Sequence, residues 1–267
     1  VNTAFPFAAT YLVVTGTVDW KFIIGTLFFL IPYNLMMYGV NDVFDYESDI
    51  LNPRKGGVEG MREQKAFHPT ILKAVWITST PFILYLLLTG TLISNAVLTV
   101  LIFFVLAYSV AGLRFKEKPV LDSITSSIHF VGPMIYALSV VGFVPESLPY
   151  VLAFFFWGMA SHAMGAVQDI IPDRKGGLAS IATVFGAGGT MLFATILYTA
   201  ATLLIALQPV LYIFVVLTGI LYALNVARFV YLSDENSSVA RGAWKWFMRL
   251  NLFTGFCVTI VLIIATF

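Results

Sequence analysis

Residues 20–40, WKFIIGTLFFLIPYNLMMYGV, carry no charge after Lys21 and run directly into residues 41–49, NDVFDYESD. The first part has the ~20 apolar residues that a helix needs to cross hydrocarbon. Its Leu, Phe and Ile fall on every face, which reads as a lipid-embedded helix and not a half-buried strand. The second part crowds Asp42, Asp45, Glu47 and Asp49 onto the end of that helix. At ~100° per residue, Asn41, Asp45 and Asp49 (i, i+4, i+8) spread over only about 80° of a continued helix. Asp42 borders this stripe, and Asn34 and Tyr38 extend its polar face deeper into the membrane.

Apolar runs of similar length recur at 1–17, 69–89, 92–110, 121–143, 148–168, 187–207, 209–230 and 244–267. Open strands would leave backbone groups unpaired in lipid, and the ~10-residue alternating segments of a barrel are absent. The expected fold is therefore all-α and polytopic, with about nine transmembrane helices in a single bundle forming one domain over 1–267. The composition agrees: 59% of the 267 residues are hydrophobic, 11% are charged, and the mean hydropathy is +0.90. A soluble domain carries about 25% charged residues, so a soluble enzyme, a disordered chain and a nucleic-acid binder are excluded. A net charge of +1 says nothing about partners, and the lone Cys257 cannot form an internal disulfide. The chain enters an apolar run at Val1 with no charged n-region or cleavage site. A signal peptide is not expected there; the start of the first helix, and any cytosolic lead with its basic residues, is expected to precede Val1.

Fourteen of the 15 basic residues lie in or beside the loops after spans two, four, six and eight; the exception is Lys21. The positive-inside rule makes that side cytoplasmic, with the N-terminus inside and the C-terminus outside. The cytoplasmic loops then cover about 41–68, 111–120, 169–186 and 231–243. Twelve of the 14 carboxylates share this side, all but Asp19 and Glu146, and orientation does not require them there.

Span six is expected to end as span two does, in Gln168-Asp169-Ile170-Ile171-Pro172-Asp173, with Asp169 and Asp173 on one face. Arg-Lys-Gly-Gly follows each acidic element, at 54–57 and at 174–177. This weak repeat suggests two four-helix halves facing one another, plus one helix. Like charges at i,i+4 repel, and charges near the bilayer are costly. A divalent cation offsets both costs, and Mg²⁺ takes one or two carboxylates together with waters and substrate phosphate oxygens. Two facing clusters would hold Mg²⁺ with a diphosphate between them. Interfacial acids neutralised by neighbouring Arg and Lys would account for one such cluster, but poorly for two matched ones.

These elements resemble the UbiA-type intramembrane prenyltransferases. The likeness covers nearly the whole chain: the helix count, NDxxDxxxD at 41–49, DxxxD at 169–173, and Tyr108-Ser109 followed by Leu113-Arg114-Phe115-Lys116. The segment from Ser161-His162 through Asp169-Ile170-Ile171-Pro172-Asp173 to Ile181-Ala182-Thr183-Val184-Phe185-Gly186 is similar to the lycopene elongases of C50 carotenoid biosynthesis, a branch of that family.

The resemblance implies transfer of an allylic prenyl group, dimethylallyl in this branch, from its diphosphate to a long apolar acceptor such as lycopene. Asn41, Asp42, Asp45, Asp49, Asp169 and Asp173 are then the Mg²⁺ ligands. Arg114, Lys116, Arg174, Lys175, Arg54 and Lys55 bind the diphosphate, with Tyr108 as a hydrogen-bond donor. Asp45, Asp49, Asp169, Asp173, Arg114 and Lys116 form the catalytic set. Asn34, Tyr38, Phe44, Tyr46, His162 and Gln168 are candidates for the acceptor and cation pocket, where ring faces stabilise cations. His162, seven residues before Asp169, would share its face and take the final proton, orient the acceptor or bridge helices. His129 is expected to serve packing or a polar contact. Arg241, Lys245 and Arg249 beside Trp244 and Trp246 read as a lipid headgroup anchor. The implied partners are prenyl diphosphate, a polyene or aromatic acceptor, membrane lipid and other carotenoid-pathway enzymes. The alternatives are an aromatic-acceptor enzyme of quinone biosynthesis and, in another class, a cation transporter. A transporter would keep its acids near the midplane, and Arg-Lys pairs beside them would repel its cargo.

Overall fold

The protein is described by a computed structural model over residues 3–50 and 64–266, with backbone alone at 48 and 49; among these residues every regular element is helical. In chain order they are α1 (Ala4–Thr15), α2 (Trp20–Leu30), α3 (Pro32–Asp49), α4 (His68–Thr89), α5 (Leu92–Ser109) and α6 (Leu121–Val141). There follow α7 (Leu148–Val167), α8 (Ile170–Lys175), α9 (Ile181–Ala206), α10 (Ile213–Ala227) and α11 (Arg241–Thr266). Among the described residues, eight helical segments are long and apolar enough to span a membrane, and α1 is a shorter apolar helix. The expected all-α polytopic fold is thus the observed one.

The chain divides into two compact units, Val1–Lys116 with Ile128–Phe143, and Glu117–Ser127 with Val144–Phe267. Counting α2 and α3 as one span, α1 to α5 supply four spans to the first unit, and α7, α9, α10 and α11 supply four to the second. Helix α6 gives its first turns to the second unit and the rest to the first, so it is the extra helix of the four-plus-four expectation.

In the first unit the second span is not one continuous helix. Pro32 has no N–H, and its ring excludes the carbonyl four residues back, so α2 stops at Leu30 and α3 starts at Pro32. The freed carbonyls find other donors. The Asn34 amide donates to Phe29 O at 2.8 Å and Leu30 O at 3.0 Å, and the Thr3 hydroxyl donates to Phe29 O at 2.6 Å. Asn34, expected in the acceptor pocket, mends this break. Phe7, Phe28, Phe29, Tyr33 and Tyr136 pack as a buried aromatic cluster around it. Beyond the break α3 runs unbroken to Asp49, as the acidic stripe requires.

In the second unit small residues let the helices approach closely. Ala160 and Ala163 of α7 and Ala187 and Ala194 of α9 are fully buried, and a Cβ at Gly158 would collide with Ser127. Tyr198 and Tyr222 stack with centroids 5.3 Å apart. Helix α9 starts six residues earlier than its apolar run, because Ser180 and Thr183 form a capping box ahead of Ile181. A break follows at Gly186, where φ +71° and ψ 172° suit only glycine.

Candidate active site in two acidic segments

In the first unit the stripe lies on the last turns of α3, the negative end of the helix dipole, where acids are disfavoured unless cations face them. Those cations come from the segment after α5. The carboxylate of Asp45, only 5% exposed, forms an ion pair with Lys116 and lies 3.8 Å from the Arg114 guanidinium. Arg114 also donates to Phe44 O at 3.3 Å. Asn41 donates to Asp45 Oδ2 at 2.7 Å and contacts Ser109 Oγ at 3.3 Å. Arg114 holds φ +40°, a left-handed value uncommon for a residue with a Cβ. Such outliers persist where surrounding contacts over-determine them, and here the turn brings Arg114 and Lys116 to one carboxylate.

Asp42 is half-buried on the same helix end. The side chain of Asp49, and Arg54 and Lys55, lie outside the described residues. Tyr108 packs edge-on against the His129 ring at 5.2 Å, and His129 Nε2 reaches Phe104 O at 3.4 Å, the packing role expected of His129. The Tyr46 ring lies edge-on to His68, with Lys65 5.3 Å from its centroid. Phe44 packs against the aromatic core, whereas Tyr38 is exposed.

In the second unit the acids are not carried on the end of span six. Helix α7 closes at Val167, Asp169 is the N-cap of the separate short helix α8, and Asp173 sits in its first turn. Asp173 N–H donates to Asp169 O at 2.9 Å, so the one-turn spacing survives the change of helix. His162 does not share a helical face with Asp169, because α7 ends between them. Gln168 donates back to Gly165 O at 3.2 Å. Arg174 bonds Thr183 O at 2.8 Å and Asp234 at 2.7 Å, while Lys175 is exposed at the end of α8. Arg241, Lys245 and Arg249 form an exposed row on α11, with Arg249 5.3 Å from the Trp246 ring centroid.

Two carboxylates escaped the sequence reading. Asp122, fully buried, accepts from Ile181 N–H at 2.7 Å and Ser123 N–H at 2.6 Å and lies 3.7 Å from His162. Asp234 accepts from Ala187 N–H at 2.6 Å, capping the helix that restarts after Gly186. Neither belongs to a repeated acidic element, and the partners Ile181 and Ala187 lie tens of residues away.

The donors on α3 and α8 are all oxygen, the set that Mg²⁺ prefers. Among the described residues no three His, Cys, Asp or Glu side chains group as a closed ligand set. A Mg²⁺ completed by waters and phosphate oxygens needs only one or two carboxylates, so these residues fit the ion.

An all-helical membrane fold with acidic and basic residues gathered near its helix ends suits an intramembrane enzyme that handles an anionic group. The chain belongs to the UbiA prenyltransferase family, whose signature matches residues 3–253. It is an integral, multi-pass membrane prenyltransferase, and the transporter alternative is set aside. Among known relatives it is 45% identical over 265 residues to a lycopene elongase/hydratase of Corynebacterium glutamicum, covering 98% of this chain and 92% of that protein. It is 47% identical over 262 residues to the C(50) beta-cyclic carotenoids biosynthesis protein LbtBC of Dietzia sp., covering 97% of this chain but 61% of that longer protein. The fold matches a UbiA homolog from Archaeoglobus fulgidus, solved bound to DMAPP and Mg²⁺, with a TM-score of 0.68 at 18% identity, covering 97% of this chain and 94% of that one.

Proposed function

We propose that this enzyme transfers a dimethylallyl group from its diphosphate to lycopene in a Mg²⁺-dependent reaction at the cytoplasmic face of the membrane. On this reading the N-terminus and the loops that carry the acids are cytoplasmic and the C-terminus is outside, in line with the asymmetry of Lys and Arg. The near full-length 45% identity to a lycopene elongase/hydratase carries the choice of acceptor.

Asn41, Asp42, Asp45 and Asp49 of α3 and Asp169 and Asp173 beside α8 would hold Mg²⁺. When bound, the ion neutralises charge developing on the departing diphosphate. Lys116 and Arg114, oriented by Asp45, supply fixed positive charge to the leaving oxygens, joined by Arg174 and Lys175, with Tyr108 as a hydrogen-bond donor. Arg54 and Lys55 act on the same anion. As the allylic C–O bond breaks, the terminal double bond of the acceptor attacks the prenyl carbon, leaving a tertiary cation on the acceptor. Phe44 and Tyr46 provide ring faces, and Tyr38, Gln168 and His162 border the acceptor. The apolar surroundings keep water from the first cation.

Expression in cells that accumulate lycopene tests this. C45 and C50 products are expected. Untouched lycopene with prenylation of an aromatic acid would replace the acceptor with a quinone precursor.

A further inference from the structure

Resting on the reaction just proposed, we infer that His162 accepts the proton released when the tertiary cation is quenched and that Asp122 is its positioning residue. Asp122 opens α6 and His162 lies in the last turns of α7, both within the second unit. The Asp122 carboxylate is fully buried, a situation costly for a charge unless it is paired and hydrogen-bonded. Its two oxygens are fixed by Ile181 N–H and Ser123 N–H, at 2.7 and 2.6 Å, and the Ser123 hydroxyl lies 3.3 Å away. The Ser180–Thr183 capping box leaves the Ile181 N–H open, and Asp122 fills it; a neutral acceptor would serve that cap as well.

What a carboxylate adds is negative charge beside His162 Nε2, which lies 3.7 Å from Asp122 Oδ2, within ion-pair range but beyond hydrogen-bond length. The imidazole side chain keeps 18% of its surface accessible, whereas Asp122 keeps none. An imidazole with an accessible edge can meet a substrate, and a fully buried acid beside it can steady it once charged. An imidazolium formed at His162 closes on a carboxylate already locked in place, as in other carboxylate–histidine pairs.

The chemistry needs one such acceptor whichever way the cation is quenched. If a C–H bond next to the cationic carbon breaks, its electron pair forms the new double bond and the proton goes to His162. If water adds, its oxygen bonds the cationic carbon and the surplus proton goes to His162. In both cases the imidazolium later returns the proton to water, and no oxidant or reductant is required.

The test is the distribution of products from dimethylallyl diphosphate and lycopene in membranes holding the full chain. A positioned base takes the proton from one place, so the wild type should give one dominant end group. His162→Gln should lower formation of extended polyene by about 10²-fold and replace the dominant end group by a mixture of double-bond isomers and alcohol, with the KM for the diphosphate donor unchanged. Asp122→Asn should move the ratio the same way but less, and should add nothing in the His162→Gln background. For His162→Ala, added imidazole should restore the wild-type ratio, which mere refilling of a structural gap by an inert ring such as cyclopentane should not do. An unchanged ratio in His162→Gln overturns the inference, as does an Asp122→Asn effect of equal size with and without His162. Failure of imidazole to restore the ratio also counts against it. If the wild type extends no polyene, the proposed function falls and takes this inference with it. If the wild type extends lycopene while the variants keep its end group, the inference alone falls.

Discussion

Arg174 and Asp234 meet at 2.7 Å and together fasten the two sides of the helix break at Gly186. The guanidinium bonds Thr183 O before the break, and the carboxylate caps Ala187 N–H after it. An arginine beside the second acidic element is thereby held by a residue from the segment leading into α11, and the turn between α8 and α9 is tied to its own unit.

Gly186→Ala should be destabilising by about 1–3 kcal/mol, because the backbone holds a conformation that is essentially glycine-only. The added Cβ would also sit 3.0 Å from Asp234 Oδ1. Asp234→Ala should cost about 1–2 kcal/mol through the lost cap, with little from the partly exposed ion pair. Thermal unfolding in detergent, read as a fall in Tm for both variants, checks this.

Asp45→Asn should reduce kcat by at least about 10²-fold, since it removes a metal ligand and releases Lys116 and Arg114 from their positions. Breaking so buried a pair should also cost up to about 3–5 kcal/mol. Lys116→Met should share the loss of stability and lower kcat without changing the Mg²⁺ requirement. Turnover against Mg²⁺ concentration, beside a melting curve for each variant, separates the two roles. Near wild-type kcat in Asp45→Asn would remove the metal-binding assignment.

Chelation with EDTA should stop turnover, and added Mg²⁺ should restore it. Asp173→Ala should raise the Mg²⁺ concentration needed for half-maximal rate by about tenfold or more, on the principle that a lost carboxylate leaves water in its place. Full activity in EDTA would contradict the Mg²⁺ assignment.

Asp19 caps α2, accepting from Phe22 N–H at 2.8 Å and from the Tyr11 hydroxyl at 2.8 Å. The Phe22 N–H is the leading cause holding its carboxyl below the ordinary carboxylate value. A depressed folded-state value stabilises above the unfolded pKa, and that stability is lost as pH falls through the folded one. Asp19→Ala should therefore lower stability by about 1 kcal/mol at neutral pH. Its gap from wild type should shrink in acid, below the ordinary carboxylate range, as Tm measured across pH would show.

The acidic stripe on α3 was legible because it depends on helical register alone, and α3 does continue through Asp45 to Asp49. Register failed as a guide at Asp169, where the chain leaves α7 and starts a new helix. It failed again at Asn34, a polar side chain in an apolar run whose task is set by the carbonyls that Pro32 frees. The breaks at Pro32 and Gly186 are repaired by Thr3 and Asp234, residues too distant in the chain for local pattern to reveal. Asp122 offered no signal at all, since a lone acid at a helix start says nothing about a histidine on the next helix.

The all-helical membrane fold, the approximate spans and the acidic stripe of α3 follow from the order of residues, because transfer into lipid and helical periodicity are local properties of the chain. That Lys116 and Arg114 close on Asp45, that Arg174 is tied to Asp234, and that Asp122 stands beside His162 emerges only once the helices are packed. Those pairings depend on which helices pack together and at what depth, and side-chain packing between distant segments leaves no periodic trace in the order of residues.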